Sequence, residues 1–246
     1  MSPTNLGKSV SNTLLWERPL PVARDRSARL TREEVAQAGF VVAEAENLQA
    51  VSPKRVASRL GVPSTRLETY LASRDELLDL MLDVAFGEIA MPPARQSEDS
   101  AGWRAELTDI ARATHAAARR HPWLVQLIGT RPPTGPNGLQ YTERMLAAVD
   151  GLGLDISTMA ECVNAVLAFV CGYAQIEPGQ SRGGNGHGRQ DARYLAEVVA
   201  GPGYPQLARL FTEAANLTSE DAFSSGLTYL LDGIERRISA TQPVAG

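Results

Sequence analysis

Residues 52–71 read Ser-Pro-Lys-Arg-Val-Ala-Ser-Arg-Leu-Gly-Val-Pro-Ser-Thr-Arg-Leu-Glu-Thr-Tyr-Leu, and no other stretch limits the fold so tightly. Ser52 supplies an N-cap and Pro53 a first-turn proline, which open a helix through Leu60 with Val56, Ala57 and Leu60 inward. Gly61 ends it. After the Gly61-Val62-Pro63 turn, Ser64 is an N-cap candidate for a second short helix that offers Leu67, Tyr70 and Leu71 to a core. Two helices this short cannot bury themselves, so a third must pack across them, and that trio is a helix-turn-helix domain. The third lies just upstream: Thr31-Arg32-Glu33-Glu34 is a capping box, and Val35, Ala38, Val42 and Ala45 recur on one face over about 31–46. In such a domain the first turn of the second helix faces a major groove. It would present Ser64, Thr65, Arg66, Thr69 and Tyr70, with Lys54 and Arg55 toward phosphates or flanking bases. Arg66 is the candidate for reading a guanine, because its planar fork donates two hydrogen bonds to O6 and N7.

Charge supports this division. Residues 1–74 carry 11 Lys+Arg against 7 Asp+Glu, and the remainder 13 against 21, so a basic head precedes an acidic body. Residues 1–29 hold Lys8, Arg18, Arg24, Arg26 and Arg29 without periodicity and read as a flexible arm; Arg24, Arg26 and Arg29 can enter a minor groove, or the segment is a plain leader. Trp16 stands out there as an anchor onto the folded part. Cys162 and Cys171 lack C-x-x-C spacing and read as buried thiols. No run of 18 apolar residues occurs, and Asn12–Trp16 is followed at once by Glu17 and Arg18. Neither a membrane span nor a secretory leader is therefore expected, and the expected location is cytoplasmic.

Ser73-Arg74-Asp75-Glu76 is a second capping box, opening a helix to about Met91 before Pro92-Pro93. From Thr31 to Leu78 the pattern resembles the TetR family of bacterial repressors, whose fourth helix opens with a sequence like Ser73-Arg74-Asp75-Glu76-Leu77-Leu78. The resemblance implies a phosphate contact for Arg74. The family places an aromatic after the recognition-helix leucine, where this chain has Glu68. A carboxylate facing phosphates repels them, so the helix is rotated, Glu68 pairs with a neighbour such as Arg66, or binding is weak.

Beyond a polar linker at 94–101, helical stretches are expected at about 102–120, 122–129, 136–152, 155–176, 191–200, 206–215 and 218–238, with a mobile Gly-rich loop near 178–190. The chain is expected to be all-α: an arm (1–29), a DNA-binding domain (30–75), and a ligand-binding and dimerisation domain (76–246). The body is similar to the regulatory domain of tetracycline-type family members, most clearly at Leu127-Ile-Gly-Thr-Arg-Pro132. That resemblance implies a homodimer through helices 155–176 and 218–238, whose apolar faces hold Val163, Val166 and Val170, and Phe223, Leu227, Leu230, Leu231 and Ile234. It also implies a small-molecule inducer. Leu127, Ile110, Thr114 and Met145 stand where tetracycline-binding relatives carry metal and drug ligands, so no magnesium and no cofactor is expected. An apolar or aromatic ligand is expected instead, with Phe86, Trp103, His115, Trp123, Arg131 and Asn164 as further contacts; core packing is the competing role for each.

The implied function is a repressor that releases double-stranded operator DNA when ligand binds, as the helix from Ser73 swings like a pendulum. The alternative is a dimeric ligand- or protein-binding regulator with weakened DNA binding. Gly179-Gln-Ser181-Arg-Gly183 matches a hydrolase G-x-S-x-G motif, but no strand precedes it and no enzyme is expected.

Overall fold

The computed structural model describes residues 14–18, 30–91, 102–181, 186–199, 201, 203–213 and 218–241. The described residues are helical and contain no strand. In order the helices are α1 (Arg32–Ala45), α2 (Pro53–Leu60), α3 (Ser64–Leu67), α4 (Arg74–Gly87), α5 (Gly102–Arg120), α6 (Leu124–Ile128), α7 (Pro136–Ala147), α8 (Ile156–Ser181), α9 (Gly186–Val199), α10 (Pro205–Glu213) and α11 (Ser219–Thr241), with a 3₁₀ turn at Leu48–Ala50. α8 extends through Ser181 and α9 starts at Gly186, so the interruption is narrower than the glycines of 178–190 foretell. Ser181 of the G-x-S-x-G match ends a helix instead of occupying an elbow. The chain divides into one compact unit of Met1–Val84 with Pro133–Leu139, and a second of Ala85–Pro132 with Gln140–Gly246. The division falls within α4 and takes the start of α7 into the first unit.

In the first unit the capping box at α1 forms as the sequence requires: Thr31 Oγ1 accepts from Glu34 N at 3.0 Å, and Glu34 returns the contact to Thr31 N at 2.7 Å. α1 buries Val35, Ala36, Ala38, Gly39, Phe40, Val42 and Ala43, while Ala45, expected inward, is exposed. Met81 of α4 packs directly on Gly39, where a Cβ would lie 2.7 Å from its Sδ. Ser52 Oγ caps α2 through Arg55 N at 3.3 Å, and Gly61 closes it in the left-handed region at φ 67°. A β-carbon there is strained, so this glycine fixes where α3 begins.

In the second unit α5, α8 and α11 pack on one another through Leu107, Ile110, Val163, Val166, Val170, Phe223, Leu227, Leu231 and Ile234, all buried. The interface residues expected from apolarity are therefore core of a single chain, apart from Leu230, which is half-buried. Their apolar faces are covered by α5 and by each other. What α8 leaves exposed includes Asn164, Ala165 and Ala168 in its middle and Ile156 and Ile176 toward its ends. Ile156–Glu177 is long and apolar enough by length and composition to cross a bilayer, although polar residues interrupt any unbroken run, and only 39% of it is buried in the chain.

Candidate DNA-reading surface and buried ligand wall

α3 is a single helical turn. Pro63, not Ser64, holds its N-cap position and gives no side-chain cap, and Thr69 Oγ1 folds back onto Arg66 O at 2.7 Å. Leu67 and Tyr70 are buried, so Tyr70 belongs to the core. Ser64, Thr65, Glu68 and Thr69 are exposed and Arg66 is half-buried, so the surface offered for reading is short and polar. Lys54 and Arg55 are exposed on α2, with Arg55 paired to Glu46 at 2.7 Å. Glu68 N donates to Ser64 O at 3.1 Å, but among the described residues its carboxylate is in no hydrogen bond or ion pair, with Arg66 or any other. Arg74 differs from its expected role: Nε donates to Val51 O at 2.7 Å and Nη2 to Leu48 O at 2.9 Å, tying α4 to the turn that precedes α2. The residue is nevertheless exposed, so a phosphate can still reach its outer edge. Arg24, Arg26 and Arg29 lie outside the described residues.

The wall expected for a ligand is largely buried: Phe86, Trp103, Ile110, Thr114, Trp123, Leu127 and Met145 all are. Tyr141 on α7 joins it, a residue that the amino-acid pattern alone did not single out. Its hydroxyl meets Thr114 Oγ1 at 2.9 Å, Thr114 in turn donates to Ile110 O at 2.8 Å, and its ring lies 4.8 Å from that of Phe86. Burial pushes the Tyr141 phenol up to about 12, so it stays a neutral hydroxyl. Nearby, Arg144 Nε donates to the buried Glu106 carboxylate at 2.6 Å.

His115 departs from the expected ligand contact. Its Nε2 is 3.0 Å from Glu177 Oε2, and its ring stacks on Phe223 at 4.2 Å with Tyr173 edge-on. Glu177 also accepts from Ser219 Oγ at 3.1 Å, and Tyr173 donates to Ser219 O at 2.6 Å. The histidine thus completes a polar joint among α5, α8 and α11. Glu177 lies 62 positions from it in the chain, which no local pattern can foretell. Asn164 is exposed on α8 and adds nothing to the buried wall; Arg131 is half-buried in the turn after α6. Among the described residues no three His, Cys, Asp or Glu side chains converge as a metal site would need.

Residues 96–238 match the family model for the tetracyclin repressor-like C-terminal domain. The HTH-type transcriptional repressor DrrR1 of Streptomyces coeruleorubidus is 33% identical over 230 residues, covering 90% of this chain and 83% of that protein. The HTH-type transcriptional repressor Rv1353c of Mycobacterium tuberculosis is 26% identical over 235 residues, covering 92% and 89%. Among solved structures, apo ActR of Streptomyces coelicolor superposes with a TM-score of 0.73 at 24% identity, covering 87% of this chain and 98% of that one. ActR in complex with (S)-DNPA gives 0.68 at 25% identity, covering 84% and 98%.

Proposed function

The chain belongs to the TetR family of helix-turn-helix transcriptional regulators, with a tetracycline-repressor-like C-terminal domain, and from that premise we propose that it is a ligand-responsive cytoplasmic repressor. It binds a palindromic operator as a homodimer and leaves it when a small, largely apolar or aromatic molecule enters the second unit. The observation that carries the reading is the Gly61 turn: it buries Leu67 and thereby holds Ser64, Thr65 and Arg66 outward at the start of α3. Arg66 reads a base edge, while Lys54 and the outer edge of Arg74 meet phosphates. The wall of Phe86, Trp103, Ile110, Trp123, Leu127 and Met145 suits an apolar body, and the Thr114–Tyr141 hydroxyl pair supplies its polar contact. That a relative of 25% identity was solved with (S)-DNPA bound supports a small-molecule ligand.

The dimer reading rests on surface left uncovered. Ala165 and Ala168 on α8, with Ser225 and Tyr229 on α11, are exposed, and a Cβ at Gly172 or Gly233 would meet nothing within 4 Å. α10 buries no side chain and exposes Leu207, Leu210 and Phe211 on one face. A second copy covers these and sets two α3 turns about 34–36 Å apart, one turn of duplex. Ligand acts by binding the released conformation more tightly, so operator weakens ligand binding by the same factor.

Fluorescence anisotropy with duplex from upstream of the protein's own gene, titrated with salt, tests this. A repressor gives a steep log–log salt slope and prefers that duplex to random sequence. Equal, salt-insensitive binding to both would overturn it in favour of a second reading, a partner-binding regulator without an operator, which the unneutralised Glu68 carboxylate favours. Mass spectrometry of small molecules that co-purify supplies the ligand for the same titration.

A further inference from the structure

The short segment Leu14–Arg18 is held by three parts of the first unit. Leu15 is buried, and a turn closes the segment as Glu17 N donates to Leu14 O at 3.1 Å. Arg32, at the start of α1, donates from Nη2 to Leu15 O at 2.6 Å and to Arg18 O at 2.8 Å, and its guanidinium lies 5.8 Å from the centre of the Trp16 ring. Arg18 forms an ion pair with Glu76 of α4. The Trp16 ring meanwhile lies against Gly135, just before α7: a Cβ on Gly135 would sit 2.6 Å from Trp16 Cζ2 and closer still to Asp83 Oδ1. Asp83, buried on α4, accepts from Gly138 N at 2.9 Å and Asn137 Nδ2 at 3.1 Å, so its carboxylate caps the first turn of α7.

These contacts meet at one place. A carboxylate from α4 fixes the start of α7, and an indole from upstream of α1 closes over the glycine that lets the two approach. We propose that Leu14–Arg18 is a strap that locks Pro133–Leu139 onto α1 and α4, making the start of α7 a working part of the DNA-binding head. α7 itself continues to Tyr141 and Met145, two residues of the buried wall. Only the link to DNA binding rests on the repressor reading; the lock itself does not.

Amide hydrogen exchange on the full chain tests it. Trp16→Ala should speed exchange at Gly138 and across 133–139 about tenfold, leaving the α8 core amides unchanged. Arg32→Lys keeps the charge but loses the fork to two carbonyls, and should do the same more mildly, which keeps the test decisive if Trp16→Ala folds poorly. Gly135→Ala should also loosen the segment, and in the double variant with Trp16→Ala the two effects should fail to add, because both act through one contact. Unchanged exchange in Trp16→Ala and Arg32→Lys, or simple additivity in the double variant, would overturn the strap. With duplex added, 133–139 should slow in the wild type and not in Trp16→Ala; equal slowing in both overturns it as well. A wild type that binds no duplex in anisotropy refutes the repressor reading, and the ligand-free exchange still decides the strap.

Discussion

The candidate reading surface and the candidate ligand wall treat polar groups in different ways. On α2 and α3, Lys54, Ser64, Thr65 and Glu68 face solvent, and the core beneath them is Leu67 and Tyr70. In α5 three polar residues are buried and each has a protein partner: Glu106 takes Arg144, Thr114 takes Tyr141 and His115 takes Glu177. A buried polar group without a partner is costly, so these three groups of the second unit are closed within the chain, whereas those on α2 and α3 remain open to solvent. Changes in the second unit should accordingly register as stability, and changes on α3 as affinity.

Arg144→Ala should have the largest effect. It leaves the Glu106 carboxylate buried and alone, and should cost about 2–3 kcal/mol, read as a lower urea midpoint at unchanged slope. An unmoved midpoint would mean that this pair is not structural. Arg66→Ala should weaken binding to the specific duplex by about 1–3 kcal/mol while stability moves by less than about 0.5 kcal/mol. A loss of stability as large as the loss of affinity would erase the contrast. Tyr141→Phe removes one member of a buried hydroxyl pair and should cost about 1 kcal/mol in stability, and it should weaken ligand binding if the pair is the polar contact. Glu68→Tyr should strengthen duplex binding by less than about 1 kcal/mol by removing like-charge repulsion, with a steeper salt response because salt no longer screens a repulsive contact; no gain would exonerate the carboxylate.

The smallest effect is expected at Asp155, which caps α8 by accepting from Ser157 N and Thr158 N at 3.0 Å each. The Thr158 hydroxyl and backbone hold this carboxyl below its ordinary 3.8. Its contribution is therefore present in full above that value and is lost as pH falls through the lowered one. Asp155→Ala should lower Tm slightly at neutral pH, with the gap to wild type closing in strong acid. A gap independent of pH would assign the effect to helix propensity instead.

Legibility followed the range of the interactions. The capping box at Thr31, the Ser52-Pro53 start and the Gly61 turn are each fixed by residues within four positions, so the head could be read directly from the chain. The expected dimer face could not. Periodicity marks which side of α8 and α11 is apolar, but whether that side meets another chain or α5 depends on tertiary packing, and Val163, Val166 and Phe223 proved internal. The same holds for His115, whose partner comes from α8, and for Asp83, whose donors lie on α7. Tyr70 and Arg74 have structural roles that the chain does not announce. Both sit beside the reading surface, yet one ring fills the core and one guanidinium holds backbone carbonyls, choices that a residue type alone does not decide.

The two cysteines carry a practical consequence. Both are buried, and burial pushes the Cys171 thiol up to about 11 and raises that of Cys162, so neither offers a thiolate to an oxidant or an alkylating reagent while the helices hold together. Cys171 packs with Ala118 of α5 and Val125 of α6, and a reagent can reach it only when α8 lifts from both. The native chain thus contains its own clock: the rate at which Cys171 takes up label counts the openings of the second unit, and a molecule that fills the wall should make that clock run slow.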